Sequence, residues 1–157
     1  MSNTAKLIIA ILIPLVVGFT SGFFTAGNVT GWYQTIQKPS WNPPSWIFGP
    51  VWTTLYILMG IALFLVWRSD VAESVKNTAI ILFAVQLVFN FFWSLIFFEM
   101  HEPGWAFAEI VVMWVLILLT IFSFGKVSSL AAWLLVPYIS WVSFASILNY
   151  TIWRLNS

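Results

Sequence analysis

The sequence predicts an all-α integral membrane protein, a single domain over residues 1–157 built as a five-transmembrane-helix bundle. Three observations predict it. Hydrophobic residues make up 61% of the chain and charged ones 7%, where soluble domains run at about 45–50% and about 25%. The few charges punctuate long uncharged runs: 31 residues between Lys6 and Lys38, 29 between Lys38 and Arg68, 22 between Lys76 and Glu99, 16 between Glu109 and Lys126, and 27 between Lys126 and Arg154. These runs are continuously apolar, which favours helices over the alternating strands of a barrel.

The same composition excludes several classes. Six Lys and Arg against five Asp and Glu leave no basic patch for phosphates, so nucleic acid is not an expected partner. With no Cys and one His, disulfides, zinc clusters and iron–sulfur sites are ruled out, and no cofactor or metal is expected.

About 20 mostly apolar residues cross the hydrocarbon core as a helix, which places spans at about 6–26, 46–67, 77–98, 104–124 and 129–152. The first carries a single Lys6 and an apolar run longer than a signal core, so it reads as a retained helix. Its Gly18-x-x-x-Gly22 pair, with Ala26 beyond, allows another helix to approach closely, inside the bundle or at a dimer seam. Residues 27–45 form a long loop with Trp32, Tyr33, Trp41, Pro39, Pro43 and Pro44. Its aromatics are either interfacial anchors or part of a lid capping a ligand cavity at that end of the bundle.

Trp46, Phe48 and Trp52 open the second span. The third places Gln86, Asn90, Trp93 and Phe97 on one helical face. Two carboxamides at hydrocarbon depth are costly unless partnered, so this face points inward, toward helix–helix hydrogen bonds or a ligand. Glu109 sits about 7 Å below the interface in the fourth span, within reach of snorkelling or a polar partner. The fifth places Pro137, Trp141, Ala145 and Leu148 on one face, with room beside Trp141. Lys6, Arg68, Lys76 and Lys126 face one side and Lys38 and Arg154 the other, which favours a cytoplasmic N-terminus in a bacterial cell membrane.

Eleven Trp in 157 residues is the most unusual feature. Trp67 and Trp153, beside Arg68 and Arg154, suit interfacial anchoring; others fall mid-span or in the loop. A pocket walled by these aromatics, with polar groups from Tyr33, Asn90 and Gln86, suits a flat apolar ligand. It is not a hydrolase site, since no His-based nucleophile pair can form across the bundle. Glu99, His101 and Glu102 form either a solvated turn or, through His101, an axial haem ligand.

Lys38-Pro39-Ser40-Trp41-Asn42-Pro43-Pro44-Ser45-Trp46 and Phe48-Gly49-Pro50-Val51-Trp52 resemble the loop and second-helix signature of the TspO/MBR family, the translocator proteins or peripheral-type benzodiazepine receptors. Asn90-Phe91-Phe92-Trp93, Gly104-Trp105-Ala106, Pro137-Tyr138-Ile139-Ser140-Trp141 and Leu148-Asn149-Tyr150-Thr151-Ile152-Trp153-Arg154 resemble its later motifs. The resemblance implies a five-helix bundle whose cavity is closed by the first loop. It implies binding of porphyrins such as protoporphyrin IX, of benzodiazepine-type and isoquinoline carboxamide ligands, and in animals of cholesterol. It also implies contact with membrane lipid and a homodimer. Sterol delivery is not expected here, because the chain stops three residues after Arg154, although residues 148–154 fit a general cholesterol pattern.

By position, the resemblance assigns the cavity wall to Gly22, Thr25, Tyr33, Phe48, Trp52, Asn90, Trp105, Ala108, Val112, Trp141, Ala145 and Leu148. Trp52 and Trp141 resemble the pair linked to porphyrin breakdown. The expected function is a receptor for porphyrin-like aromatics in tetrapyrrole homeostasis or stress response. One alternative is a catalyst of light- and oxygen-dependent porphyrin degradation. Another is a transporter, against which five spans without an inverted repeat weigh.

Overall fold

The computed structural model describes all 157 residues and contains seven α-helices and no strand. They are α1 (Asn3–Thr30), α2 (Trp32–Thr35), α3 (Phe48–Trp67), α4 (Glu73–Ser94), α5 (Pro103–Gly125), α6 (Ser129–Leu134) and α7 (Val136–Leu155). With a 3₁₀ turn at Ser45–Ile47 leading into α3 and a π turn at Leu95–Glu99 extending α4, they supply five segments long and apolar enough to cross a membrane. The chain is therefore a multi-pass integral membrane protein.

The spans close into a ring. α1 packs on α3, α3 on α6 and α7, α7 on α5, α5 on α4, and α4 returns to α1. At the end away from the loop, α1 and α3 approach so closely that a Cβ on Gly60 would lie 2.4 Å from Ile11 Cα. Gly18 plays the same part higher up, where a Cβ would fall 2.1 Å from the Tyr56 ring. The first half of the small-residue stripe thus packs inside the bundle. Gly22, by contrast, faces open space.

Three boundaries differ from the sequence expectation. α1 runs four residues further, to Thr30, and Gly31 breaks it before the single turn of α2; half the expected loop is helical. α4 starts at Glu73, where an acid in the first turn complements the helix dipole. The fifth span is broken at Leu135, between α6 and α7. Pro137 in the first turn of α7 has no N–H to donate and starts a new helix there.

Buried polar side chains tie the ring together. Tyr56 Oη donates to Asn90 Oδ1 (2.8 Å), Asn90 Nδ2 to Tyr138 Oη (2.9 Å) and Tyr138 Oη to Gln86 Oε1 (2.7 Å), joining α3, α4 and α7. Trp93 Nε1 donates to Asn149 Oδ1 and Asn149 Nδ2 to the Pro103 carbonyl. The inward face expected on α4 is observed, with Gln86, Asn90 and Phe97 all buried.

Candidate ligand cavity

Beyond Gly18 the space bounded by α1, α3, α4 and α7 is a cavity of about 530 Å³ at the loop end of the bundle. Trp52 and Phe48 wall it from α3, Trp93 from α4, and Trp141, Phe144, Ala145 and Leu148 from α7. The π turn contributes Phe97 and Phe98. A π turn carries one extra residue per hydrogen-bonded ring and often marks functional sites. Here it sets Phe97 and Phe98 4.8 Å apart and brings Phe98 within 5.4 Å of Tyr33.

The wall is chemically quiet. Ser21, Thr25, Thr30 and Thr53 donate their hydroxyl protons to carbonyls of their own helices. Trp141 is different, because its indole N–H is buried without an acceptor. Trp52 stacks on Tyr56 at 5.6 Å and stands edge-on to Tyr138 at 6.3 Å.

The loop closes the end. Tyr33 is 1% exposed and donates to Asn42 Oδ1 (2.9 Å), while Lys38 Nζ donates to the Tyr33 carbonyl (2.6 Å) and lies 4.9 Å from its ring. Gln37 is clasped by Asn156 at the end of α7: its backbone N–H donates to Asn156 Oδ1 (3.0 Å), and Asn156 Nδ2 donates to its carbonyl (2.8 Å). Trp32 lies flat on His101, ring centres 4.3 Å apart at 6°. Asn28 Oδ1 meets His101 Nε2 at 2.8 Å, and Asn28 Nδ2 donates to Glu99 Oε2 at 2.7 Å. His101 holds φ 57°, a strained value that presents its ring to Trp32. Glu99, His101 and Glu102 are all exposed, as a solvated turn requires, and within that turn Glu99 and His101 hold Asn28 while His101 stacks on Trp32, which latches the lid.

Eight of the twelve wall residues implied by the resemblance line the cavity: Gly22, Thr25, Tyr33, Phe48, Trp52, Trp141, Ala145 and Leu148. The other four do not. Asn90 lies deeper, saturated by Tyr56 and Tyr138, and Gln86 lies with it. Trp105, Ala108 and Val112 are on the outer face of α5, with Trp105 72% and Val112 48% exposed. The opposite face of α5 (Ala106, Ile110, Met113, Ile117) is buried in the bundle, so α5 turns these three away from the cavity. Glu109 does not snorkel; both carboxyl oxygens are buried without a partner. Pro137 starts α7 and stays off the wall. Tyr150 is exposed beside Phe107 at 5.2 Å, so the cholesterol-like stretch is split: Tyr150 and Arg154 face outward, while Leu148, Asn149 and Ile152 are buried against the cavity.

Tyr56, Phe98, Asn149 and Ser21 also line the cavity and were not singled out from the sequence. Tyr56 follows Trp52 by one helical turn, Asn149 follows Ala145, and Ser21 precedes Thr25, so the spacing held the signal. Phe98 depends on the π turn.

A five-span membrane protein holding an aromatic-walled, lidded cavity at bilayer depth is a membrane receptor in the general sense. The TspO/MBR family profile matches residues 10–154, and the chain belongs to that family. It is 48% identical over 142 residues to the "Tryptophan-rich protein TspO" of Chlorobaculum tepidum, covering 90% of each chain. It is 40% identical over 155 residues to the "Tryptophan-rich protein TspO" of Archaeoglobus fulgidus, covering 99% of each. With the "Translocator protein" of Homo sapiens it shares 39% identity over 146 residues, 92% of this chain and 86% of that one.

Proposed function

We propose that the cavity captures porphyrins of the protoporphyrin IX type, and benzodiazepine-type or isoquinoline carboxamide ligands of similar flatness, in a homodimeric receptor serving tetrapyrrole homeostasis or stress response. One observation carries the reading: an enclosure of about 530 Å³ lined by indole and phenyl rings, within the size range of small-molecule sites. Flat aromatic ligands gain stacking and apolar burial there.

The test is Ala145→Phe, which adds a phenyl group to the wall. Porphyrin quenching of Trp fluorescence is expected to disappear in the variant; quenching equal to that of the wild type counts against the site.

A second reading, light- and oxygen-dependent porphyrin breakdown, is favoured by the contact of Trp52 with Tyr56 and Tyr138, a set of oxidisable rings beside any bound macrocycle. Trp141→Phe is expected to keep porphyrin affinity within about 1 kcal/mol, because most stacking area survives, and to lower product formation under aerobic illumination. Undiminished product in both Trp52→Phe and Trp141→Phe removes this reading.

A further inference from the structure

The exposed part of the cavity wall is confined to one seam. Phe19, Gly22, Phe23, Ala26 and Thr30 on α1 and Gly49 at the start of α3 are the exposed wall residues, Phe19 by 60% and Phe23 by 80%. The wall residues from α4, the π turn and α7 are buried or half-buried. Toward the water, Tyr33 and the Asn156-clasped loop shut the end. Toward the opposite end, contact of Gly60 with Ile11 and of Gly18 with Tyr56 closes the gap.

What remains is a slot facing sideways, about 16 Å long from Phe19 to Thr30 at the helical rise. A hydrocarbon core is about 30 Å thick, so most of the slot meets acyl chains. Its rim is also built to pass a flat body. Cβ atoms placed on Gly22 or Gly49 would meet nothing within 4 Å.

We propose that ligands reach the cavity from within the bilayer, sliding between α1 and α3 through this slot, and that the site selects amphiphiles already dissolved in lipid. The apolar body enters first, while a charged end stays at the level of Thr30, near the membrane surface. This also answers a difficulty of the binding reading, on which it rests for the ligand's chemistry: the wall contributes no Lys or Arg to meet a porphyrin's carboxylates. With the slot open, they need not enter.

The chain has no native Cys, so Ala145→Cys places a single thiol inside the cavity. In lipid nanodiscs, a lipid-dissolved N-alkyl maleimide is expected to label it at least about tenfold faster than a charged, water-borne maleimide, since access governs thiol labelling. Adding Ala26→Trp at the rim is expected to slow the lipid-borne reagent alone. In a protein carrying Ala26→Cys and Gly49→Cys, joined by a bismaleimide, protoporphyrin IX is expected to associate and dissociate about tenfold more slowly, with Kd nearly unchanged because a blocked route alters both rates together. Equal labelling by both maleimides, or labelling insensitive to Ala26→Trp, overturns the lateral route. Porphyrin that fails to bind while the labelling pattern holds refutes the porphyrin reading and leaves the slot standing.

Discussion

Gly18 and Gly22 sit one turn apart on the same helix, and the structure gives their substitution opposite signs. In Gly18→Ala the new Cβ falls 2.1 Å from Tyr56 Cε2, so the ring must retreat by about 1.5 Å to reach ordinary contact, an overpacking that costs about 1–3 kcal/mol. Retreat breaks the 2.8 Å bond from Tyr56 to Asn90 and leaves a buried donor unmade, about 1–3 kcal/mol more. Against this stands the helix-propensity gain of Ala over Gly, about 1 kcal/mol. The balance is a loss of about 1–5 kcal/mol, taken from those same terms. In Gly22→Ala nothing lies within 4 Å of the new methyl group, and only the gain of up to about 1 kcal/mol remains. The assay is unfolding of the purified protein in mixed micelles titrated with a denaturing detergent, followed by Trp fluorescence. Equal losses at both positions would refute the reasoning, because they would mean that the stripe packs as a unit against a second chain.

Three further outcomes follow from the contacts. Asn90→Leu leaves the Tyr56 hydroxyl without its acceptor and is expected to lower stability by about 1–3 kcal/mol in the same titration. Asn156→Ala removes both bonds to Gln37; hydrogen exchange at Gln37 is expected to accelerate, with the amides of the α3 interior unchanged. Trp105→Ala and Val112→Ala change only the outer face of α5, and porphyrin affinity is expected to stay within about 0.5 kcal/mol of wild type, the usual range for surface changes.

The spans were legible because charge is expensive in hydrocarbon, so the six cations and four of the five acids lie near or beyond the ends of the spans, Glu109 inside α5 being the exception. The inward face of α4 was legible for the same reason: Gln86 and Asn90 had to find partners. α5 offered no such contrast. Leu, Val and Trp are equally at home against lipid and in a bundle interior, so nothing in the composition tells Trp105 and Val112, which face out, from Ile110 and Met113, which face in. The lid's anchors were hidden for a different reason. Asn156 meets Gln37 across 119 positions of sequence, and His101 reaches Trp32 only through a positive φ that local pattern does not announce.

That long reach has a bearing on biogenesis. Residues 36–44 emerge from the ribosome more than a hundred residues before Asn156, so the Gln37 clasp forms after the partners of the lid's other fastenings, Asn42, Lys38 and His101, have all been made. A chain stalled before that point lacks both the clasp and the α7 wall of its aromatic chamber. Sealing it is the closing act of assembly.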